Sequence, residues 1–348
     1  MHYNGNRNYA LILFSHSFLP IMRILIVRVS SLGDVVHNLP VLADIHRHYP
    51  EAIIDWVVEE PYVGLVKQNM YVNEVIPFAL RRWRKNIFSP VTRKEFRTFL
   101  DRLKQNAYDY VFDTQGLIKT GIIMGFARTV ENGRKIGLAH KTDGSGYEPL
   151  SRIFHDESIS VEKHIHVVTR GREVVAKALG YTIDTVPDFG LVTPAPDPEW
   201  LPSRPYAVFF HGTSRDSKKW PHANWIEIGR ILTENGLCIL LPWGSPKEKE
   251  EAKRLADAIP DSRLLPRLSI TDMVTLTGKA SFIVGVDTGL SHLAAAFDKP
   301  TVQIYCNIPR WRTCADWSDN IISLGGENEV PSLDEVTLAV QRLLPKIG

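Results

Sequence analysis

The chain predicts an α/β protein of two Rossmann-like αβα domains facing a common cleft, and three observations predict it. Strand-like and helix-like segments alternate almost throughout its 348 residues, the signature of parallel sheets covered by helices on both faces. Near the start, the buried run Met22-Arg23-Ile24-Leu25-Ile26-Val27-Arg28-Val29 enters a glycine turn, Ser30-Ser31-Leu32-Gly33-Asp34, and then a helical pattern of Val35, Val36, Leu39, Leu42 and Ile45. Roughly 250 residues later a second unit of this kind appears, in which Ser281-Phe282-Ile283-Val284 leads into Gly285-Val286-Asp287-Thr288-Gly289-Leu290-Ser291-His292-Leu293. Neither turn has the Gly-x-Gly-x-x-Gly spacing of dinucleotide binders, which argues against a nicotinamide or flavin enzyme.

The elements follow in order. Strands are expected at residues 24–29, 53–58, 74–78, 110–113 and 134–137, and one long helix over 162–179, stopped by Gly180, closes the first domain. Residues 184–205 hold six prolines and form the linker. The second half restarts with strands at 206–210, 237–241, 263–265, 281–286 and 301–305. Its helices fall at 223–234, 247–258, 270–277 and 290–297, with a last one over 333–344. The division is therefore 22–183, 184–205 and 206–348. Residues 1–21 look foreign to this rhythm: the apolar stretch 11–14 is broken by Ser15-His16-Ser17 and Pro20, too short for a membrane span and without a small-residue cleavage site. Because Met22 stands directly before the first strand, an upstream start codon or a disordered extension is preferred over a signal peptide.

A net charge of +2 and an apolar fraction of 44% fit a soluble globular protein. Charge is concentrated locally: residues 81–104 contain nine Lys or Arg against Glu95 and Asp101. Such a cluster suits phosphates, carboxylates or an anionic membrane surface, or is simply a solvated helix face. Nothing else points to nucleic acid. Cys238, Cys306 and Cys314 lack zinc or disulfide spacing, and a reducing, cytoplasmic compartment fits them best. His164 and His166, two apart, would not share a helix face as a metal pair.

Five loops at strand ends, four of them in the second half, hold the residues with chemistry. Asp287 and Thr288 can cap the helix they open, Gly289 lets a ligand approach its first turn, and Ser291 and His292 aim donors at the same space; a diphosphate is the natural occupant, against an ordinary capped turn. Asp34, at the cleft mouth, is placed either as a general base for an acceptor hydroxyl or as a partner of its own helix dipole. After the first strand of the second half, Thr213, Ser214 and Lys218 form a phosphate-receiving loop in which Lys218 could neutralise a departing diphosphate. In Leu241-Pro242-Trp243-Gly244-Ser245-Pro246-Lys247-Glu248 a glycine turn precedes an acid able to receive a ribose, with Trp243 read as core rather than as a base contact. Pro266-Arg267-Leu268-Ser269 ends a further strand. Two such domains with ligands at the carboxyl ends of their strands make an architecture of the GT-B type.

With these residues in hand the chain closely resembles the bacterial heptosyltransferases, ADP-heptose transferases of lipopolysaccharide core synthesis, from Met22 nearly to the end. Matching segments include Ser30-Ser31-Leu32-Gly33-Asp34-Val35, Asp55-Trp56-Val57-Val58-Glu59-Glu60, Arg81-Arg82-Trp83-Arg84-Lys85, Thr114-Gln115-Gly116-Leu117, Arg215-Asp216-Ser217-Lys218 and the 286–293 motif. The second and third of these point to the branch that adds the first heptose. The resemblance implies an inverting transfer, without metal or cofactor, of L-glycero-D-manno-heptose from ADP-L-glycero-D-manno-heptose to the Kdo of Kdo2-lipid A. That transfer would occur at the cytoplasmic face of the inner membrane, with the enzyme bound peripherally. It further implies Asp34 as general base, with Lys218 stabilising the leaving ADP beside Thr213, Ser214, Thr288, Gly289 and His292. Glu248 takes the place of the ribose-binding acid, Leu268 of an adenine contact and Asp287 of a donor-binding acid. Ser31 lies beside the base, and Arg81, Arg82 and Lys85 would meet the acceptor.

The chain departs from its family at three points: Ser214 for a threonine, Leu268 for a methionine, and Cys306-Asn307-Ile308-Pro309-Arg310-Trp311-Arg312 where many relatives have a Gly-Pro-Thr turn. That last loop has no assigned role. The rival readings are a second- or third-heptose transferase, which differs in acceptor, and a nucleotide-sugar 2-epimerase, which needs none. A non-catalytic module that binds phosphates or membranes would be indifferent to Asp34.

Overall fold

Strands buried along their whole length dictate the architecture, because a strand with no wettable face needs helices on both sides of its sheet. In β1 (Arg23–Val27) the last four side chains are buried. The computed structural model describes residues 21–213 and 215–346; expectations for residues 1–20 and for Ser214 lie outside the described residues. The first half continues with β2 (Ile53–Glu59), β3 (Glu74–Phe78), β4 (Ala107–Asp113), β5 (Arg128–Leu138) and β6 (Glu157–Ile159). All pair in parallel, in the order β3-β2-β1-β4-β5-β6. The second half has β7 (Tyr206–Phe210), β8 (Cys238–Leu241), β9 (Ser262–Leu264), β10 (Phe282–Val286), β11 (Thr301–Tyr305) and β12 (Ile321–Gly325). These are also parallel, ordered β12-β11-β10-β7-β8-β9.

Each sheet therefore starts in its middle and reverses direction there, and in such sheets ligands bind outside the carboxyl ends of the strands at the switch point. The switch points are β1/β4 and β7/β10. Strand alternation splits the cores in two: Ile24 and Ile26 face one helical layer, Leu25 and Val27 the other. Ala207 and Phe209 oppose Tyr206, Val208 and Phe210 in the same way. Val274 and Leu293 of the second half belong to the first half's core, so the two halves share packed surface.

The elements expected from the sequence are present with shifted ends. The helix expected over 162–179 starts later, at Val167, because the His166 ring caps it by accepting from Val168 N; it ends at Gly180 in the left-handed region, φ 79°. Two edge strands were not expected. β6 buries only Ile159 and gives no apolar run, and β12 is a short stretch whose middle residues are half-buried. Among the described residues no helix is long and apolar enough to cross a membrane.

Candidate active site

The two glycine turns meet. The helix Gly289–Ala296 abuts the helix Leu32–Asn38, and a Cβ on Gly289 would lie 2.8 Å from the Gly33 backbone nitrogen. Beside this contact a cavity of about 410 Å³ is lined by Asp34, Arg215, Lys218, Asp287, Thr288, Gly289 and His292, among others. Thr288 caps its helix by position, but its hydroxyl makes no capping bond, which leaves the Gly289 and Leu290 N–H groups at the helix end without a backbone partner among the described residues. Lys218 Nζ donates to Asp287 Oδ2 at 2.7 Å, and His292 Nε2 lies 3.2 Å from Asp287 Oδ1. Burial would raise the Asp287 pKa, but His292 and Lys218 outweigh it and hold the carboxyl far below its usual range. The His292 ring packs on His37 with centroids 4.3 Å apart. Burial, then the neighbouring histidines, keep His37 neutral. Ser291, expected to donate into this space, does not reach it: its hydroxyl is buried under the turn and spent on Val286 O at 2.6 Å.

Thr288 also lines a smaller cavity of about 170 Å³, walled by Gly212, Trp243, Glu248 and Leu268. Glu248 closes the capping box of the helix Pro246–Ala258, its Oε2 accepting from Gly244 N and Ser245 N. Its other oxygen faces Gly212, where a Cβ would come within 3.0 Å, so the glycine makes room for the acid. Trp243, expected in the core, is only half-buried; its indole donates to Leu265 O at 2.8 Å, and it lines this cavity together with Leu268. The site is thus a slot with an apolar wall and a carboxylate, continuous with an anion-binding helix end. Thr213 sits in the same β7 loop but lines neither cavity.

On the other side of Asp34 lies a third cavity, about 300 Å³, which shares Ser31, Asp34, Val167 and Arg312 with the first. Its charges are Arg28, Lys119, Arg170 and Arg312 against Asp34 and Asp143. Asp34 is held from both oxygens: Arg28 Nη2 donates to Oδ1 at 2.7 Å, and Ser31 N and Oγ donate to Oδ2 at 3.0 and 2.9 Å. Burial raises its pKa, but Arg28, the Ser31 N–H and Arg170 prevail and lower it below 3.8. Arg170, buried and bonded to Thr142, is pushed down to about 9 by burial and then by Arg28. Asp113 at the end of β4 shapes the wall: its Oδ1 accepts from Gln115 N and Gly116 N, both at 2.9 Å, and the turn uses the left-handed φ of 75° at Gly116.

Of the residues expected at an acceptor, only Ser31 lines this cavity. Arg81 is paired with the buried Glu59 at 2.6 Å, and Arg82 with Glu60 and Glu95, while exposed Lys85 has no ion pair among the described residues. Arg28, Lys119, Arg170 and Arg312 were missed. Three of them are lone cations within regular elements or their ends, and their convergence depends on the sheet order.

Two parallel α/β lobes with adjoining cavities at the switch points of their sheets are the architecture of a GT-B glycosyltransferase. The model of glycosyltransferase family 9 (heptosyltransferase) matches residues 96–340. The chain is 40% identical over 290 residues to lipopolysaccharide heptosyltransferase 1 of Escherichia coli K12, covering 82% of this chain and 88% of that one. The structure of E. coli heptosyltransferase WaaC with ADP superposes with a TM-score of 0.79 at 36% identity, over 94% of this chain and all of that one. The WaaC structure with ADP-2-deoxy-2-fluoro heptose gives 0.75 at the same identity and coverage. The chain belongs to glycosyltransferase family 9, the heptosyltransferases. It is an enzyme of lipopolysaccharide core synthesis that transfers heptose.

Proposed function

We propose that the chain transfers L-glycero-D-manno-heptose from its ADP derivative to the Kdo of Kdo2-lipid A, with Asp34 as general base and inversion at the anomeric carbon. The observation that carries this reading is the position of Asp34, which lines both the cavity with the diphosphate-type helix end and the cationic cavity beyond it. In this scheme residues 206–348 bind the donor. Trp243 and Leu268 flank adenine, Glu248 receives the ribose, and Thr288, Gly289, His292, Arg215 and Lys218 hold the diphosphate. Residues 22–183 bind the acceptor, whose Kdo carboxylates meet Arg28, Lys119 and Arg170.

Chemically, the acceptor hydroxyl attacks the anomeric carbon from the Asp34 side while the C–O bond to ADP breaks on the opposite side. Charge grows on the departing diphosphate, and Lys218, Arg215 and the helix end, which line the first cavity, stabilise it. Asp34 is a weak base, so it takes the proton late, as the hydroxyl acidifies while bonding to an oxocarbenium-like carbon. Asp287, paired with Lys218, holds that lysine in place.

The test is to incubate the protein with ADP-heptose and, separately, Kdo2-lipid A, heptosylated Kdo2-lipid A and Kdo-free lipid A, following ADP release and product mass. One heptose should be added to the first alone. Transfer only to the heptosylated lipid would instead indicate a later enzyme, and turnover of ADP-heptose without any acceptor would indicate the epimerase.

A further inference from the structure

The cationic segment carries apolar side chains that the acceptor chemistry does not use. In the turn before the helix Pro90–Gln105, Ile87 is 56% and Phe88 77% exposed. Next to them, Phe96 and, from the helix Ile118–Phe126, Ile122 and Phe126 are partly exposed around an open apolar cavity of about 320 Å³ floored by Phe78, Trp83 and Phe99. The apolar surface continues onto the turn Pro149–Phe154, where Leu150 and Ile153 are exposed; Phe154 is seated so closely on that helix that a Cβ at Gly121 or Gly125 would meet its ring at 2.7 Å. Exposed apolar surface of this extent marks an interaction site.

Its surroundings say what covers it. Arg84 and Arg93 border the cavity, and with Lys85, Lys94 and Arg97 they form no ion pair among the described residues. Lys104 Nζ lies over the Phe126 ring at 5.5 Å. Hydrocarbon side chains ringed by unpaired cations complement an anionic bilayer leaflet, which offers acyl chains beneath a layer of negative headgroups. Lys119 lines both this apolar cavity and the cationic cavity beside Asp34, so the two are neighbours.

We propose that this face docks on an anionic leaflet, with Ile87, Phe88, Phe96, Ile122 and Phe126 entering the boundary between headgroups and acyl chains. The inference rests on the reading that the acceptor is a lipid, and it assigns the surface that delivers it.

Sedimentation of the full chain with phosphatidylcholine vesicles, with and without phosphatidylglycerol, tests the proposal. The protein should bind the anionic vesicles, less so at high salt, and Phe88→Ser combined with Ile122→Ser should weaken that binding at least about fivefold. Phe88→Trp should keep binding, and its fluorescence should be quenched by lipids brominated on their acyl chains. Transfer to a deacylated, water-soluble Kdo acceptor should be equal in wild type and the double variant. Vesicle binding unaffected by the double substitution, no quenching in Phe88→Trp, or a dimer that this substitution dissolves without any vesicle binding would each overturn the proposal. Normal vesicle binding with no transfer to the soluble Kdo acceptor would instead overturn the acceptor assignment and leave the docking face standing.

Discussion

Arg28 and Asp34 are joined across the first glycine turn at 2.7 Å, and the arginine is itself buried, with its other nitrogen on Thr114 O. The same Asp34 carboxylate closes the capping box of its helix through Ser31. General base and dipole partner are therefore compatible descriptions: the cap occupies Oδ2, Arg28 one face of Oδ1, and about a third of the side chain stays open to the cavities.

Substituting Asp34 by Asn separates the two roles. The amide oxygen can still accept from Ser31 but cannot take a proton, so turnover should fall by about 10²-fold or more while donor affinity is kept. Losing part of the cap should cost about 0.5–2 kcal/mol of stability. Near-normal turnover in a folded Asn variant would remove Asp34 from the chemistry and leave only the cap.

The depressed pKa of Asp34 sets a direction in pH. Its contribution to stability should be complete above the unfolded value of 3.8 and be lost only as pH falls through the lower folded value. The acid limb of kcat/KM should accordingly lie below the ordinary carboxylate range. Arg28→Gln removes the largest lowering influence and should move that limb upward, readable in a pH–rate profile. An unmoved limb would mean another group controls it.

Lys218 is the next test. Its removal leaves Asp287 facing the diphosphate without a counter-charge, so Lys218→Ala should lower kcat by about 10² to 10³. Lys218→Arg should recover part of the loss. A change confined to the Michaelis constant for ADP-heptose would reduce the lysine to uniform binding.

The closeness of Gly289 to Gly33 predicts a steric effect. A methyl group there would meet backbone at 2.8 Å and Leu32 Cγ at 2.9 Å, neither of which can swing aside. Gly289→Ala should force the lobes apart at a cost of about 1–3 kcal/mol and enlarge the radius measured by small-angle scattering. Unchanged scattering and activity would show that the contact can slide.

Much of this was legible in the sequence because the strands that position the site are apolar runs ending at glycine and capping residues: β1 before Asp34, β7 before the 211–218 loop, β10 before Asp287. Glu248 and Leu268 follow strands in the same way. What was not legible depends on long-range placement. Trp243 looked like core because it follows an apolar strand, and only the pairing of β8 with β9 brings it to the same cavity as Leu268. Arg170 sits in mid-helix with ordinary neighbours, and nothing local announces that β5 and β1 carry Thr142 and Asp34 towards it. Ser291 misled for the reverse reason: its hydroxyl found a backbone carbonyl five residues back.

The loop after β11, where the chain departs from its family, is the final case. It reaches across the cleft: the Trp311 ring stacks on His164 with centroids 3.5 Å apart, Cys314 O receives His166 Nε2 at 2.9 Å, and Arg312 lies against Gly144, lining both cavities beside Asp34. No carboxylate pairs with Arg312 among the described residues. A free guanidinium between donor and acceptor can hold an acceptor carboxylate while the two halves are closed. Arg312→Ala should therefore raise the acceptor Michaelis constant by about tenfold, the scale of one charge-assisted hydrogen bond, with a smaller effect on ADP-heptose. Gly144→Val, which displaces the guanidinium without removing it, should have a similar effect, and the double variant should be no worse than either. Additive losses, or an acceptor constant that Arg312→Ala leaves unmoved, would show that this loop only fastens the lobes.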